Sequence, residues 1–92
     1  MAKVVVTLKI MPESPETDME SIQKKAMALI QDFAGETETK AEIEPIAFGL
    51  KALKLLFVLE ESKGSTEYLE TQIQEVDGVA SVEAIDVRRA IG

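Results

Sequence analysis

Alternating apolar side chains predict two long β-strands in this chain. The segments KVVVTLKI at 3–10 and ALKLLFVLEE at 52–61 both alternate with period two, and both carry apolar residues on the second face as well. Strands that are apolar on both faces are typical of the interior of a sheet. We therefore predict that these two segments are central strands.

Two further segments carry apolar residues at helical spacing. The first follows the prolines of MPESPE, which we expect to end the first strand; Thr17 and Glu20 are spaced as a capping box, and Gly35 is expected to end the helix. The second is predicted to start at Ser65 and to end at the Asp77–Gly78 pair. The apolar positions of the two predicted helices are Met19, Ile22, Ala26, Leu29, Ile30 and Phe33, and then Leu69, Ile73 and Val76.

The remaining segments predict two outer strands. ETKAEIEPIA at 38–47 alternates weakly and contains Pro45, which lacks the amide donor that a central strand needs. VASVEAIDV at 79–87 has the pattern of a last strand, and FGLK between the second and third strands predicts a tight turn. We expect the Pro45 strand at one edge of the sheet.

The element order β-α-β-β-α-β is typical of an α+β, ferredoxin-like sandwich, in which a four-stranded antiparallel sheet of order 4-1-3-2 carries two helices on one face. We expect residues 1–92 to form a single domain. We further expect strands 1 and 3 to run parallel, with strand 4 antiparallel to both. That arrangement would bring Arg88 and Arg89 close to the hairpin AFGLKA at 47–52, about 40 residues away in sequence.

Composition narrows the possible functions. The chain has 17 carboxylates against 10 basic side chains and a formal charge of −7, a balance that disfavours direct nucleic-acid binding. It has no cysteine and no histidine, so the commonest nucleophile, general base and metal ligands are missing. We therefore expect that the protein is not an enzyme and that it binds no metal and no cofactor. No apolar run is long enough for a membrane span and no signal-peptide cleavage site is evident, so we expect a cytoplasmic protein.

Three groups of residues are candidates for a binding site, and each has a plain structural alternative. Phe48 lies in the predicted turn, where a large aromatic either projects toward a partner or folds back as a cap on the core. Arg88 and Arg89 are the only arginines, and they either contact a partner or belong to a solvated tail in which their charges balance Glu83, Asp86 or the terminal carboxylate. Glu42 and Glu44 share one face of the edge strand, either as paired catalytic carboxylates or metal ligands, or as charges that discourage aggregation through the sheet edge. Glu60 and Glu61 point to opposite faces, and so make a poor pair of metal ligands.

Three separated segments resemble one family. MPESPETDME, EPIAFGLKAL and VDGVASVEAIDVRRAIG resemble, in this order along the chain, segments of the archaeal form of translation elongation factor one-beta, and the resemblance covers essentially the whole chain. It implies a ferredoxin-like domain that acts as guanine-nucleotide exchange factor for GDP-bound elongation factor one-alpha, the GTPase that delivers aminoacyl-tRNA to the ribosome.

The resemblance also implies roles for individual residues. A basic side chain near the C-terminus reaches the Mg²⁺ and phosphate site of the GTPase in family members; Arg89 matches it here, with Arg88 as the second candidate. Phe48 matches a phenylalanine that inserts into a hydrophobic pocket of the GTPase, and Pro45, Ile46 and Gly49 belong to the same contact segment. Eukaryotic relatives carry lysine near the terminus, whereas this chain has RRAIG, and arginine is a planar fork rather than a point charge. The alternative function is a ferredoxin-like regulatory or assembly module that binds a small ligand.

Overall fold

The computed structural model describes residues 3–35, 37–63 and 66–90. Its elements are β1 (Lys3–Pro12), α1 (Met19–Ala34), β2 (Thr39–Pro45), β3 (Lys51–Glu60), a 3₁₀ turn (Glu61–Lys63), α2 (Glu67–Gln74) and β4 (Val79–Ala90). The four strands form one antiparallel sheet of order β2-β3-β1-β4, which is 4-1-3-2 read from the other side. The predicted α+β, ferredoxin-like class, the central positions of β1 and β3 and the edge position of the Pro45 strand are confirmed.

The core lies between one face of the sheet and the two helices. Every second residue of the central strands enters it, and each helix contributes residues at spacings of three and four. The buried apolar side chains of this core are Val6, Leu8, Ile10, Leu53, Leu55, Phe57 and Leu59 from the central strands, Ile22, Ala26 and Ile30 from α1, Leu69 and Ile73 from α2, and Val79 from β4. Burying each large one contributes about 1.5–3 kcal/mol. We call this the helix side of the sheet and the other the open face.

The helix termini differ in part from the prediction. The N-cap of α1 is Asp18, whose carboxylate accepts the backbone N–H groups of Glu20 and Ser21 at 3.1 and 3.2 Å, so the predicted capping box at Thr17 is wrong. The Thr17 hydroxyl instead accepts a hydrogen bond from the Ser14 backbone amide at 3.2 Å, within the loop that precedes the helix. Gly35 ends α1 with a φ of 81°, as predicted. Ser65 lies outside the described residues, and α2 follows Thr66.

The direction of the strands corrects a second expectation. β1 pairs antiparallel with both β3 and β4, so β3 and β4 run in the same direction and strands 1 and 3 are not parallel. In this fold each helix connects two parallel strands, β1 to β2 and β3 to β4, and this fixes the directions. Arg89 therefore lies opposite Val4, at the end of the sheet where β3 finishes, and the hairpin before Lys51 lies at the other end.

β4 is longer than predicted, and its pairing with β1 shifts register at two places. It continues through both arginines as far as Ala90, so these residues are part of the sheet rather than of a solvated tail. Leu8 pairs with Ala84 while Thr7 pairs with Asp86, which leaves Ile85 as an extra residue, a β-bulge. Among the described residues, no helix is long and apolar enough to cross a membrane.

Candidate functional site

The β2–β3 hairpin presents Phe48 to solvent. The turn is closed by two backbone hydrogen bonds, from the Ile46 amide to the Leu50 carbonyl and from the Leu50 amide to the Ala47 carbonyl, both 2.9 Å. Phe48 is 96% exposed, so the interpretation of this residue as a core cap is wrong. Its φ of 54° lies in the left-handed region, where a bulky side chain is strained by about 1–3 kcal/mol. Phe48 and Gly49 are the two central residues of this turn, and the positive φ at both of them is what a tight hairpin turn requires.

The neighbours of Phe48 form an apolar tip with it. Ile46 is 42% exposed, and Pro45 and Gly49 are also exposed. Gly49 has a φ of 80°, and a Cβ at this position would lie 3.7 Å from the Pro15 side chain in the β1–α1 loop. Pro15 thus lies beside the hairpin on one side, while Phe48 and Ile46 remain accessible. We call Pro45, Ile46, Phe48 and Gly49 the hairpin tip.

The two arginines lie on opposite faces of the sheet. Residues that pair directly in an antiparallel sheet share a face; Arg89 pairs with Val4, which packs against the core, and Arg88 pairs with Val5 of the open face. On the helix side, Arg89 Nη2 donates to Glu61 Oε1 at 2.7 Å. On the open face, Arg88 Nε lies 2.9 Å from Asp86 Oδ2. Because the guanidinium groups project in opposite directions, a flat partner surface cannot receive both in the same way.

The β-bulge decides which arginine faces which side. Val82 and Ala84 pair with the core residues Ile10 and Leu8, and simple alternation would place Arg88 on the helix side with them. The extra residue Ile85 shifts the alternation by one, which places Arg89 there instead.

Around Arg89 the helix side of β4 is left uncovered. α2 has 8 residues and is about 12 Å long, whereas the 12 residues of β4 extend about 40 Å. Val87, two residues before Arg89 and on the same face, is 58% exposed in consequence. The sequence did not indicate that Val87 and Glu61 lie beside Arg89, because the length of α2 and the position of the 3₁₀ turn decide their surroundings. We call Val87, Arg89 and Glu61 the β4 overhang.

The hairpin tip and the β4 overhang do not form one patch. The chain from Lys51, next to the hairpin, to Leu59, which pairs with the same β1 residue as Arg89, extends about 27 Å at ~3.4 Å per residue. The expectation that Phe48 and the arginine pair are neighbours is therefore wrong. They lie at opposite ends of a molecule whose longest dimension is 42 Å.

Comparison with known proteins shows the family. Residues 5–90 match the model of the EF-1 guanine nucleotide exchange domain. The chain belongs to this family. It is 48% identical over 90 residues to elongation factor 1-beta of Methanobrevibacter smithii, covering 97% of this chain and 98% of that protein. It is 42% identical over 89 residues to elongation factor 1-beta of Methanothermobacter thermautotrophicus, with the same coverage. Among solved structures, BlrP1 BLUF shares the fold with a TM-score of 0.56 and 11% identity, covering 100% of this chain and 57% of that one.

The open face of this exchange domain carries paired charges. Glu42 lies 3.3 Å from Lys40, and Glu44 forms an ion pair with Lys54, so each carboxylate has a lysine partner. The Lys54 ammonium, through its hydrogen bond and its charge, lowers the pKa of the Glu44 carboxyl below its ordinary value of 4.5, and the charge of Lys9 adds to this. In the described part of the chain, no group of three or more acidic side chains is arranged to hold a metal ion.

The open face also lacks the features of an RNA-binding sheet. All four aromatic residues of the chain are described, and they lie elsewhere: Phe57 and Phe33 in and against the core, Tyr68 on α2 and Phe48 in the hairpin. RNA-binding sheets of this fold stack bases on aromatic side chains of the open face. A shallow groove of about 510 Å³ is lined by the apolar residues Val5, Leu56, Phe57 and Val58 and by the polar residues Glu38, Thr39 and Lys40.

Proposed function

We propose that this protein is a guanine-nucleotide exchange factor that promotes GDP release from elongation factor 1-alpha during translation elongation in the cytoplasm. The observation that carries the proposal is the match of residues 5–90 to the EF-1 guanine nucleotide exchange domain. Near-full-length relatives named elongation factor 1-beta support it.

The two exposed sites suggest how the factor meets the GTPase. The hairpin tip would supply an aromatic anchor, since Phe48 can bury most of its surface against a partner at no cost to the core of the domain. The β4 overhang would supply the cationic group, Arg89. Because the two sites are separated by at least the ~27 Å of β3 between Lys51 and Leu59, the long axis of the factor would lie along the GTPase and contact two separate regions of it.

The chemistry of exchange requires no covalent step. Mg²⁺ bridges the nucleotide phosphates to side chains of a GTPase and contributes much of its affinity for GDP. A guanidinium placed beside these groups would repel the metal and compete for the phosphate, and so weaken GDP binding. Because binding free energies are reciprocal, GDP must weaken the binding of the exchange factor by the same factor. The formal charge of −7 would speed encounter with a basic surface of the GTPase.

The test is the release of fluorescent GDP from elongation factor 1-alpha with the wild-type factor, Arg89→Ala, Arg88→Ala and Arg89→Lys. We expect substoichiometric wild-type factor to accelerate release and Arg89→Ala to lose most of this activity. Arg89→Ala should still bind the nucleotide-free GTPase within about tenfold of wild type, a difference of roughly 1.4 kcal/mol.

Arg88→Ala is the matched control, because it removes the same charge from the other face of β4. We expect only a small, salt-screened loss from it, and partial activity from Arg89→Lys. Equal losses at both positions that vanish in high salt would exclude insertion of Arg89 and leave only electrostatic steering. No acceleration by the wild-type factor would exclude the exchange function and favour a regulatory or assembly module.

A further inference from the structure

The Arg89–Glu61 contact links two parts of the chain that are distant in sequence. Glu61 opens the 3₁₀ turn after β3, and Arg89 lies near the end of β4 on the helix side of the sheet. The 2.7 Å contact joins groups that are both partly exposed, with 71% of the arginine side chain and 43% of the glutamate side chain accessible. A partner that approaches the β4 overhang therefore meets Arg89 already bound to a carboxylate.

This arrangement makes Glu61 a competitor of any anionic partner group. A guanidinium that donates to Glu61 must give up or share those donors before it can contact a phosphate. The Glu61 carboxylate would also repel phosphate oxygens brought to the same place. Both effects oppose the step that we assign to Arg89.

We infer that Glu61 is a positioning residue that holds Arg89 in the free factor and releases it on binding, and that this restrains the exchange activity. The inference rests on the proposed function, since it gives Arg89 a role at the phosphate site. Because exposed ion pairs are weak, removing Glu61 should raise the exchange rate only by about two- to fivefold. The effect should shrink at high salt, where the ion pair is already weakened.

The chain offers two matched controls. Glu60→Gln removes the adjacent carboxylate, which pairs in register with Lys3 and is in none of the ion pairs of the described residues. Asp86→Asn releases the other arginine, Arg88, on the open face. Each of the three substitutions removes one negative charge, so a change in overall electrostatic steering would affect all three alike.

The experiment measures GDP release from elongation factor 1-alpha with Glu61→Gln, Glu60→Gln and Asp86→Asn, each alone and combined with Arg89→Ala. We expect an increase with Glu61→Gln only, and no increase when Arg89 is absent, since a double-mutant cycle isolates the coupling of the pair. In the free factor, NMR relaxation of the Arg89 Nε–Hε group should show greater mobility in Glu61→Gln and unchanged mobility in Glu60→Gln.

Other outcomes would overturn the inference in distinguishable ways. If Arg89→Ala abolishes exchange but Glu61→Gln leaves it unchanged or lowers it, Arg89 keeps its proposed role and the restraint by Glu61 is refuted. An increase with Asp86→Asn instead would show that Arg88, on the open face, is the contacting residue. Equal increases with all three variants would attribute the effect to net charge alone. If Arg89→Ala has no effect on exchange, the proposed role of Arg89 fails and this inference fails with it.

Discussion

Replacing Phe48 should weaken partner binding without weakening the fold. The side chain is 96% exposed, so Phe48→Ala removes almost no contact from the free domain. A phenylalanine that becomes buried against a partner removes about 200 Å² from water, worth at most about 5 kcal/mol at ~25 cal/mol per Å². Ordering and desolvation costs at the interface reduce this to the ~1–3 kcal/mol typical of an aromatic anchor. We therefore expect a roughly 5- to 150-fold loss of affinity for the GTPase.

The left-handed backbone at Phe48 allows a sharper version of the experiment. Phe48→Gly also removes the aromatic ring, but it relieves the strain at a φ of 54°. Because the greater freedom of glycine in the unfolded chain offsets part of this gain, we expect Phe48→Gly to be at least as stable as Phe48→Ala and to bind as poorly.

Two measurements decide the result. Titration with nucleotide-free elongation factor 1-alpha gives the affinities, and thermal unfolding gives the stabilities. Phe57→Leu, at a site that is 1% exposed, serves as the opposite control and should lower stability while leaving the binding surfaces in place. A melting temperature for Phe48→Ala more than about 4 °C below wild type, which corresponds to about 1 kcal/mol in a domain of this size, would contradict this reasoning. Unchanged binding would also contradict it.

Three further predictions concern the metal site of the partner, the open face and the turns. If exchange acts through Mg²⁺, the fold stimulation of GDP release should shrink once chelator has removed Mg²⁺ from the GTPase; equal stimulation would place the effect elsewhere on the nucleotide. The pKa of Glu44 is lowered by Lys54, so its stabilising contribution is present above pH 4.5 and is lost as the pH falls through the folded-state pKa. In urea unfolding, Glu44→Gln should therefore be less stable than wild type at pH 7, with a gap that narrows by pH 3; a constant gap would refute this. In thermal unfolding, Gly78→Ala should cost at least about 1 kcal/mol more stability than Gly35→Ala. Both glycines have positive φ, but a Cβ at Gly78 would lie 2.8 Å from Thr17 Cγ2, whereas a Cβ at Gly35 would meet nothing within 4 Å. Equal losses of stability would show that the Thr17 side chain moves aside freely.

Local patterns in the sequence predicted the elements well. Alternation along 3–10 and 52–61 identified β1 and β3, because residues that face a core must recur at the period of the strand. Pro45 indicated an edge strand because it has no amide to donate. The start of α1 was misplaced by one residue, since Thr17 and Asp18 are both suitable caps and the loop conformation selects between them.

The candidate residues were also visible in the sequence, but their arrangement was not. Phe48 and the arginine pair stand out because a turn seldom carries a large aromatic and because the chain has only two arginines. Their grouping at one end of the sheet was wrong, since it depended on the directions of the strands. Glu61 could not be recognised as the partner of Arg89, because nothing in a sequence separation of 28 residues predicts contact.

Propensity and periodicity act through neighbours along the chain, so the residue pattern alone predicts the four strands, the two helices and the core faces of β1, β3 and both helices. The face and the end of the sheet at which each candidate residue lies depend on contacts between distant segments. The two crossover helices make β3 and β4 parallel, which separates the hairpin tip from the β4 overhang. The bulge at Ile85 turns Arg89 rather than Arg88 to the helix side, and the short α2 leaves Val87 beside it uncovered. These features depend on how distant segments pair and pack, so no local pattern contains them.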